Sequence, residues 1–281
     1  MRILFGVLAA LGDVVYNTAI ARRVRKQNPT AEIHWAVLEQ FAPVLYRNPS
    51  IDKVLTVQGK VKPIEPTWEK VKLFGARNYD KVVLPQIYPD NHARYADPEV
   101  KADYLTLCAE NAGISLNKTV SRKPFVATLD YLTPLPDKYF TVSHVSFTRE
   151  AVWPSERYEA LASLLPYPLV ALCRPGEPVL SGPNVITIQD ASINQVAWII
   201  ERSEGFLGLD SGLTAVAAST EVPWILTIHT DEDLIFCRMA LLYTKAASPT
   251  KVECIKTPSL NLTIQTIRQL SDWGTGGIHR V

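Results

Sequence analysis

The stretch MRILFGVLAALGDVVYNTAIARRVRKQNPTAEIHWAV, from Met1 to Val37, carries the pattern that decides the fold. Arg2 to Leu8 is a continuous apolar run, and Val14 to Val24 then has apolar residues at helical spacing until an Asn-Pro pair ends the pattern. Ala31 to Leu38 is apolar again. The stretch is therefore predicted to form a strand, a helix and a second strand, which is the unit of a parallel sheet covered by helices.

The same alternation continues along the rest of the chain. The segment YLTPLPDK, from Tyr131 to Lys138, interrupts it with two prolines and no periodicity, and the alternation restarts beyond it. This interruption predicts a linker between two domains, residues 1–135 and 136–281. The expected class is α/β, with two doubly wound domains facing a cleft. In such folds ligands bind outside the carboxyl ends of the strands, so the informative residues are those that follow strands.

Composition restricts the class of protein. The 281 residues are 47% apolar and 20% charged, as expected of a globular protein with a large core. The formal net charge of +1 gives no overall attraction to nucleic acid or to an anionic membrane. Four cysteines without C-x-x-C spacing predict reduced thiols in a cytoplasmic protein. No apolar stretch approaches the ~20 residues of a transmembrane helix, so at most peripheral membrane contact is expected.

Residues capable of chemistry follow the predicted strands at three places. Asp13 follows the first strand, where it is either the cap of the next helix or a functional carboxylate. Ser146, Thr148 and Arg149 follow the strand YFTVSHV. Hydroxyls and a guanidinium are groups that bind phosphate, although a polar surface loop has the same composition.

The third place is GFLGLDSGLTAVAAS, from Gly205 to Ser219. If its apolar start is a strand, Ser211 caps a helix whose first free backbone N–H groups belong to Gly212, Leu213 and Thr214. Free N–H groups and the positive end of a helix bind anions, and Gly212 has no side chain to block one. The segment therefore predicts a site for a phosphate or diphosphate, with a simple capped helix as the alternative.

Several rival signatures are missing from the sequence. No G-x-G-x-x-G follows the first strand and no G-x-x-x-x-G-K-[ST] occurs, which weakens the case for a dehydrogenase or a P-loop protein. The acidic run Asp231 to Asp233 favours a solvated loop over a metal site. The histidines have no spacing typical of metal ligands. No metal site is predicted.

Together these three places resemble glycosyltransferase family nine, the ADP-heptose:lipopolysaccharide heptosyltransferases, which have the GT-B fold. The resemblance is carried by the Met1 to Val37 stretch, by SFTREAVWPSERYEALASLL and by GLDSGLTAVAASTEVPWILTIHTDED. It implies an inverting glycosyltransferase that moves a heptose or related sugar from a nucleotide-diphosphate donor to a hydroxyl of a saccharide, lipid-linked or other acceptor. It implies no cofactor beyond the donor substrate and no metal, and nucleic acid is not the expected partner.

The resemblance also assigns roles to individual residues. Asp13 matches the catalytic base of the family, and Asp210, Ser211 and Gly212 match its nucleotide-diphosphate loop. Glu177, in the segment CRPGEP, matches an acid that binds the nucleotide ribose.

A further match and two departures concern the second domain. Ser146 matches a hydroxyl near the phosphates. The family usually has a lysine two residues before its Trp and a histidine three residues after its Gly, where this chain has Ala151 and Ala215. These departures leave open a catalytically silent nucleotide-sugar-binding protein. A nucleotide-sugar epimerase or hydrolase on the same scaffold also stays open, because the fold alone does not fix the function.

Overall fold

A computed structural model describes residues 1–90, 102–116, 121–145, 153–209, 211–229, 251–256 and 259–271. They form two compact units that divide between Ala127 and Thr128. Residues 128–135, assigned to the first domain on sequence grounds, are thus part of the second unit. The reason is local bonding: the Leu129 N–H donates to the Asn194 carbonyl at 3.1 Å, and the Tyr131 hydroxyl donates to the Asp190 carboxylate at 3.1 Å.

The first unit is built on a parallel sheet whose strand order is β3-β2-β1-β4. Its strands are β1 (Arg2–Gly6), β2 (Glu32–Leu38), β3 (Lys53–Val57) and β4 (Lys81–Val83). Its helices are α1 (Leu11–Gln27), a 3₁₀ helix (Glu39–Leu45), α2 (Glu65–Asn78) and α3 (Tyr104–Asn111). The chain adds strands on one side of β1 and then on the other. The strand order therefore reverses at β1, and its carboxyl end is where such sheets bind ligands.

The second unit has a parallel sheet of order β10-β9-β8-β5-β6-β7. Its strands are β5 (Phe140–Ser143), β6 (Leu169–Leu172), β7 (Val185–Ile188), β8 (Phe206–Gly208), β9 (Trp224–His229) and β10 (Lys251–Lys256). Its helices are α4 (Ser155–Leu164), α5 (Ile193–Glu201), α6 (Gly212–Ser219) and α7 (Leu260–Ser271). Here the order reverses between β5 and β8. The predicted α/β class with two doubly wound sheets is confirmed.

Burial of the central strands explains their continuous apolar sequences. Every residue of β5 and β6 is buried, as is all of β1 after Arg2. In the second unit Phe140 packs against Trp224 with ring centroids 5.6 Å apart. Complete burial of a side chain such as Phe140 stabilises the fold by about 1.5–3 kcal/mol. Gly205 allows this packing, because a Cβ there would lie 2.0 Å from Trp224 Cε2.

Candidate functional site

The loop after β1 is held by hydrogen bonds from distant parts of the first unit. The backbone N–H groups of Leu8 and Ala9 both donate to Gln86 Oε1, at 2.6 and 3.3 Å. The Trp35 indole N–H donates to the Val7 carbonyl at 3.2 Å. These bonds to distant residues fix the loop, and with it the start of α1, at the carboxyl end of β1.

Asp13 caps α1 from inside the helix. The helix begins at Leu11, so its N-cap is Ala10, which has no side-chain oxygen. Asp13 is the third helical residue, and its Oδ2 accepts the Ala10 N–H at 2.8 Å. The alternative that Asp13 is itself the N-cap residue is therefore wrong. Its carboxylate satisfies one of the donors that the helix start leaves open, and it lies near the positive end of the helix dipole.

The Asp13 carboxylate is more basic than an ordinary aspartate. Burial raises its pKa to about 6, against the opposing effect of hydrogen bonds from the Tyr104 hydroxyl and the Ala10 N–H. By solvent exposure Asp13 is nevertheless only partly buried, so part of the residue contacts solvent. A carboxylate with this pKa is mostly ionised at neutral pH and still accepts a proton readily. These are the properties of a general base.

A buried polar cluster of Asn17, Tyr104 and Cys108 lies behind Asp13. Asn17 donates from Nδ2 to the Asp13 carbonyl at 2.8 Å and contacts Cys108 Sγ at 3.7 Å. Tyr104 is hydrogen-bonded to both Asp13 and Cys108. Burial raises the pKa of the Tyr104 hydroxyl and of the Cys108 thiol, so both stay protonated. Sequence reasoning missed this cluster, because the spacing of Tyr104 and Cys108 indicates a shared helix face and not what that face contacts.

The start of α6 in the second unit carries polar groups that are bonded to no described residue. Within the described residues, the backbone N–H groups of Gly212 and Leu213 and the Ser211 Oγ have no hydrogen-bond partner. Thr214 differs from the prediction. Its N–H donates to the Ser211 carbonyl at 3.1 Å and its hydroxyl donates to the Leu209 carbonyl, so it has no free donor. The predicted anion site is reduced to the three groups of Ser211, Gly212 and Leu213.

The loops after β5 and β8 meet at one edge of the second sheet, because Ser143 pairs with Gly208 in the strand register. His144 follows β5 directly and is buried. Its Nε2–H donates to the Pro178 carbonyl at 2.9 Å, and its ring packs edge-on against Tyr158. Burial lowers the pKa of His144, so the ring is neutral at neutral pH. Sequence reasoning did not select His144, since no ligand spacing marks it.

Glu177, the predicted ribose-binding acid, lies in the loop between β6 and β7 and is bound to Arg174. Its Oε2 accepts the Arg174 backbone N–H at 2.7 Å, and its Oε1 accepts the Arg174 Nε–H at 2.8 Å. Despite partial burial, these hydrogen bonds lower the pKa of Glu177. The carboxylate is ionised, and a ribose hydroxyl would share it with Arg174.

The Trp-Pro pair of the family-like segment has a structural role. Trp153 is buried and its ring contacts that of Tyr158, with centroids 5.2 Å apart. Pro154 is the N-cap of α4. Ala215, where the family has histidine, is buried within α6. The remaining predicted site positions lie outside the described residues: Ser146, Thr148, Arg149, Ala151 and Asp210.

In the described part of the chain, no group of three or more His, Cys, Asp or Glu side chains is placed to hold a metal ion. No helix there is long and apolar enough to cross a membrane. The acidic run of residues 231–233 falls outside the described ranges.

The sequence was compared with known proteins. No model of a known protein family matches it. It is 24% identical over 174 residues to lipopolysaccharide heptosyltransferase 1 of Campylobacter coli, and this match covers 58% of the chain and 50% of that protein. The chain therefore matches about half the length of this curated relative.

Solved structures match over nearly the whole chain. A family 9 glycosyl transferase from Veillonella parvula matches with a TM-score of 0.70 at 17% identity, covering 97% of each chain. The E. coli heptosyltransferase WaaC, in a complex with ADP-2-deoxy-2-fluoro heptose, matches with a TM-score of 0.66 at 18% identity, covering 96% of this chain and 99% of that one. These likenesses define the class: the chain has the GT-B fold of glycosyltransferases. Within that class it is similar to glycosyltransferase family nine, and the resemblance predicted from the sequence is confirmed.

Proposed function

We propose that this protein is an inverting glycosyltransferase that moves a heptose or related sugar from a nucleotide-diphosphate donor to an acceptor hydroxyl. The observation that carries the proposal is the Asp13 carboxylate, on a partly exposed residue at the carboxyl end of β1 and with a pKa of about 6. The names of the similar proteins support the donor class, since WaaC was solved with ADP and with an ADP-heptose analogue.

In this reaction Asp13 is the general base. It takes the proton of the acceptor hydroxyl while that oxygen forms a bond to the anomeric carbon of the donor sugar. The bond from the anomeric carbon to the diphosphate breaks on the opposite side, through an oxocarbenium-like transition state, so the configuration inverts. The hydrogen bond from Ala10 holds the carboxylate in place during the transfer.

The start of α6 binds the diphosphate. The leaving diphosphate gains negative charge, and the N–H groups of Gly212 and Leu213 stabilise it together with the Ser211 hydroxyl. We assign Asp210, Ser146, Thr148 and Arg149 to the same donor site on the family resemblance. These N–H and hydroxyl groups can neutralise the leaving diphosphate without a metal ion. The sugar nucleotide is itself a substrate, so no separate cofactor is required.

For the acceptor we propose a class of molecule and not a particular compound. The Campylobacter relative is named for lipopolysaccharide, which favours a saccharide on a lipid carrier. We therefore propose transfer in the cytoplasm, with at most peripheral contact between the protein and the membrane. We do not favour the epimerase, hydrolase or silent-protein alternatives, because the similar proteins are named as heptosyltransferases.

Thermal shift with a panel of ADP, ADP-heptose, ADP-glucose, UDP-glucose and GDP-mannose tests the donor class. A donor present at a hundred times its Kd should stabilise the protein by about 2.7 kcal/mol. The stabilising sugar nucleotide is then incubated with saccharide acceptors, and the anomeric configuration of the product is determined by NMR. No stabilisation by any nucleotide, or a product with retained configuration, would contradict the proposal. Isomerised or hydrolysed donor without transfer would instead support the epimerase or hydrolase alternative.

A further inference from the structure

We infer that Tyr104 is a positioning residue for Asp13, because its hydroxyl donates a hydrogen bond that orients the Asp13 carboxylate toward the acceptor. The inference rests on the proposed function, which makes Asp13 the base. It assigns a role to a tyrosine of α3 that no sequence motif marks.

The two hydrogen-bond donors to the Asp13 carboxylate come from different elements. The Ala10 N–H approaches Oδ2 from the start of α1, and the Tyr104 hydroxyl approaches from α3. A carboxylate offers about four acceptor positions, so two fixed donors define the plane of the group and leave positions for a substrate hydroxyl. With the Ala10 contact alone, the carboxylate could turn about its terminal torsion, which has a broad energy minimum.

Tyr104 is held firmly enough to act in this way. Its side chain is buried, and its ring packs against that of Tyr16 with centroids 5.9 Å apart. Its hydroxyl is also hydrogen-bonded to Cys108, one turn along the same helix. Helix α3 is itself capped by Asp103, whose carboxylate forms an ion pair with Arg122. The phenol therefore has little freedom to leave Asp13.

Tyr104 also sets the protonation of the base. Burial favours the protonated form of Asp13, and a hydrogen-bond donor to the ionised carboxylate favours release of that proton. Among the described residues, Tyr104 and Cys108 on α3 are ionisable groups coupled to Asp13, and both have raised pKa values and stay neutral. The Tyr104 hydrogen bond is thus the contact from α3 that keeps the carboxylate ready to accept a proton.

The test is Tyr104→Phe, which keeps the ring and removes the donor. We expect the acid limb of the kcat/KM profile to move up by about one pH unit, so that kcat/KM falls about tenfold well below pH 6 and only about twofold near pH 7. The donor Kd and the melting temperature should change little. Tyr139→Phe is the matched control, since Tyr139 is also buried but donates to the Ile199 carbonyl, at 2.8 Å. Its pH profile should equal that of the wild type.

A carbon-13 NMR titration of the Asp13 carboxyl gives a readout that does not depend on turnover. The pKa of Asp13 should rise in Tyr104→Phe and stay unchanged in Tyr139→Phe. An unchanged titration and pH profile in folded Tyr104→Phe would overturn the inference. Asp13→Asn, measured in parallel, separates this outcome from failure of the proposed function. If Asp13→Asn is fully active, Asp13 is not the base and the proposed function fails. If Asp13→Asn is inactive while Tyr104→Phe is fully active, only the role of Tyr104 is rejected.

Discussion

Gln86 accepts the backbone N–H of Leu8 with its side-chain oxygen at 2.6 Å, and so joins the segment after β4 to the loop that leads to Asp13. The same oxygen accepts the Ala9 N–H at 3.3 Å, and the Gln86 Nε2 donates to the Tyr88 carbonyl at 2.6 Å. Gln86 is buried, so water does not replace these contacts. One glutamine thus fixes the backbone just before the candidate base.

Replacing Gln86 by leucine should destabilise the protein and lower its activity. The change leaves two buried N–H groups without an acceptor, and each such group costs about 1–3 kcal/mol. The melting temperature and kcat are the measurements, and Gln58→Leu is the control because Gln58 is exposed. Equal melting temperatures for the Gln86→Leu variant and the wild type would show that the loop is held by other contacts.

Asp13→Asn should remove most of the transfer activity. Asparagine accepts the Ala10 N–H but cannot take a proton from the acceptor, and loss of general-base catalysis typically costs about 10²- to 10⁴-fold in rate. The Kd of the donor should be nearly unchanged, because the proposal assigns the nucleotide to the second unit. Asp137→Asn is the control, as Asp137 is an exposed carboxylate. Near-wild-type turnover of Asp13→Asn would leave Asp13 with a structural role only.

The same variant should be more stable than the wild type above about pH 6. Folded Asp13 holds its proton up to about pH 6, whereas its ordinary pKa is 3.8, so the wild type loses stability as the pH rises between these values. Asparagine does not titrate, and we expect Asp13→Asn to gain about 1–3 kcal/mol in unfolding free energy above this range. Below about pH 4 the difference should vanish. Denaturant unfolding at several pH values measures it, and a constant difference would argue against a raised pKa.

Gly212→Val should weaken donor binding while the fold stays intact. A branched side chain at the start of α6 would crowd the space beside the Gly212 and Leu213 N–H groups, where the diphosphate is proposed to bind. We expect at least about a tenfold higher Kd for the nucleotide, equal to a loss of about 1.4 kcal/mol. Calorimetric titration with ADP measures it. Ser219→Val, at the other end of the same helix, should bind ADP as the wild type does; unchanged affinity in both variants would exclude this binding site.

Transfer should continue after removal of divalent cations. The helix start and the hydroxyl of Ser211 are expected to neutralise the leaving diphosphate, and preorganised donors of this kind act without a metal. The initial rate is measured with excess EDTA and after addition of Mg²⁺ or Mn²⁺. A rate abolished by EDTA and restored by either ion would contradict this prediction and favour a metal site at the acidic run of residues 231–233.

The sequence by itself determined the α/β class and the position of Asp13 after the first strand. Both follow from local patterns, because the continuous apolar run of β1 and the helical spacing after it are properties of neighbouring residues. The helix boundary was less accurate: α1 begins at Leu11, before the first apolar residue of the periodic pattern, because Asp13 caps it from within.

Only the tertiary structure decided which side chains surround Asp13. Tyr104 and Gln86 come from segments far along the chain, and their contacts depend on how α3 and the segment after β4 pack, which no local pattern encodes. The error at Thr214 is of another kind, since its N–H is bonded to the Ser211 carbonyl only three residues away. Sequence patterns follow the period of an element, whereas the pKa of a carboxylate depends on the burial and the donors that the folded chain brings to it.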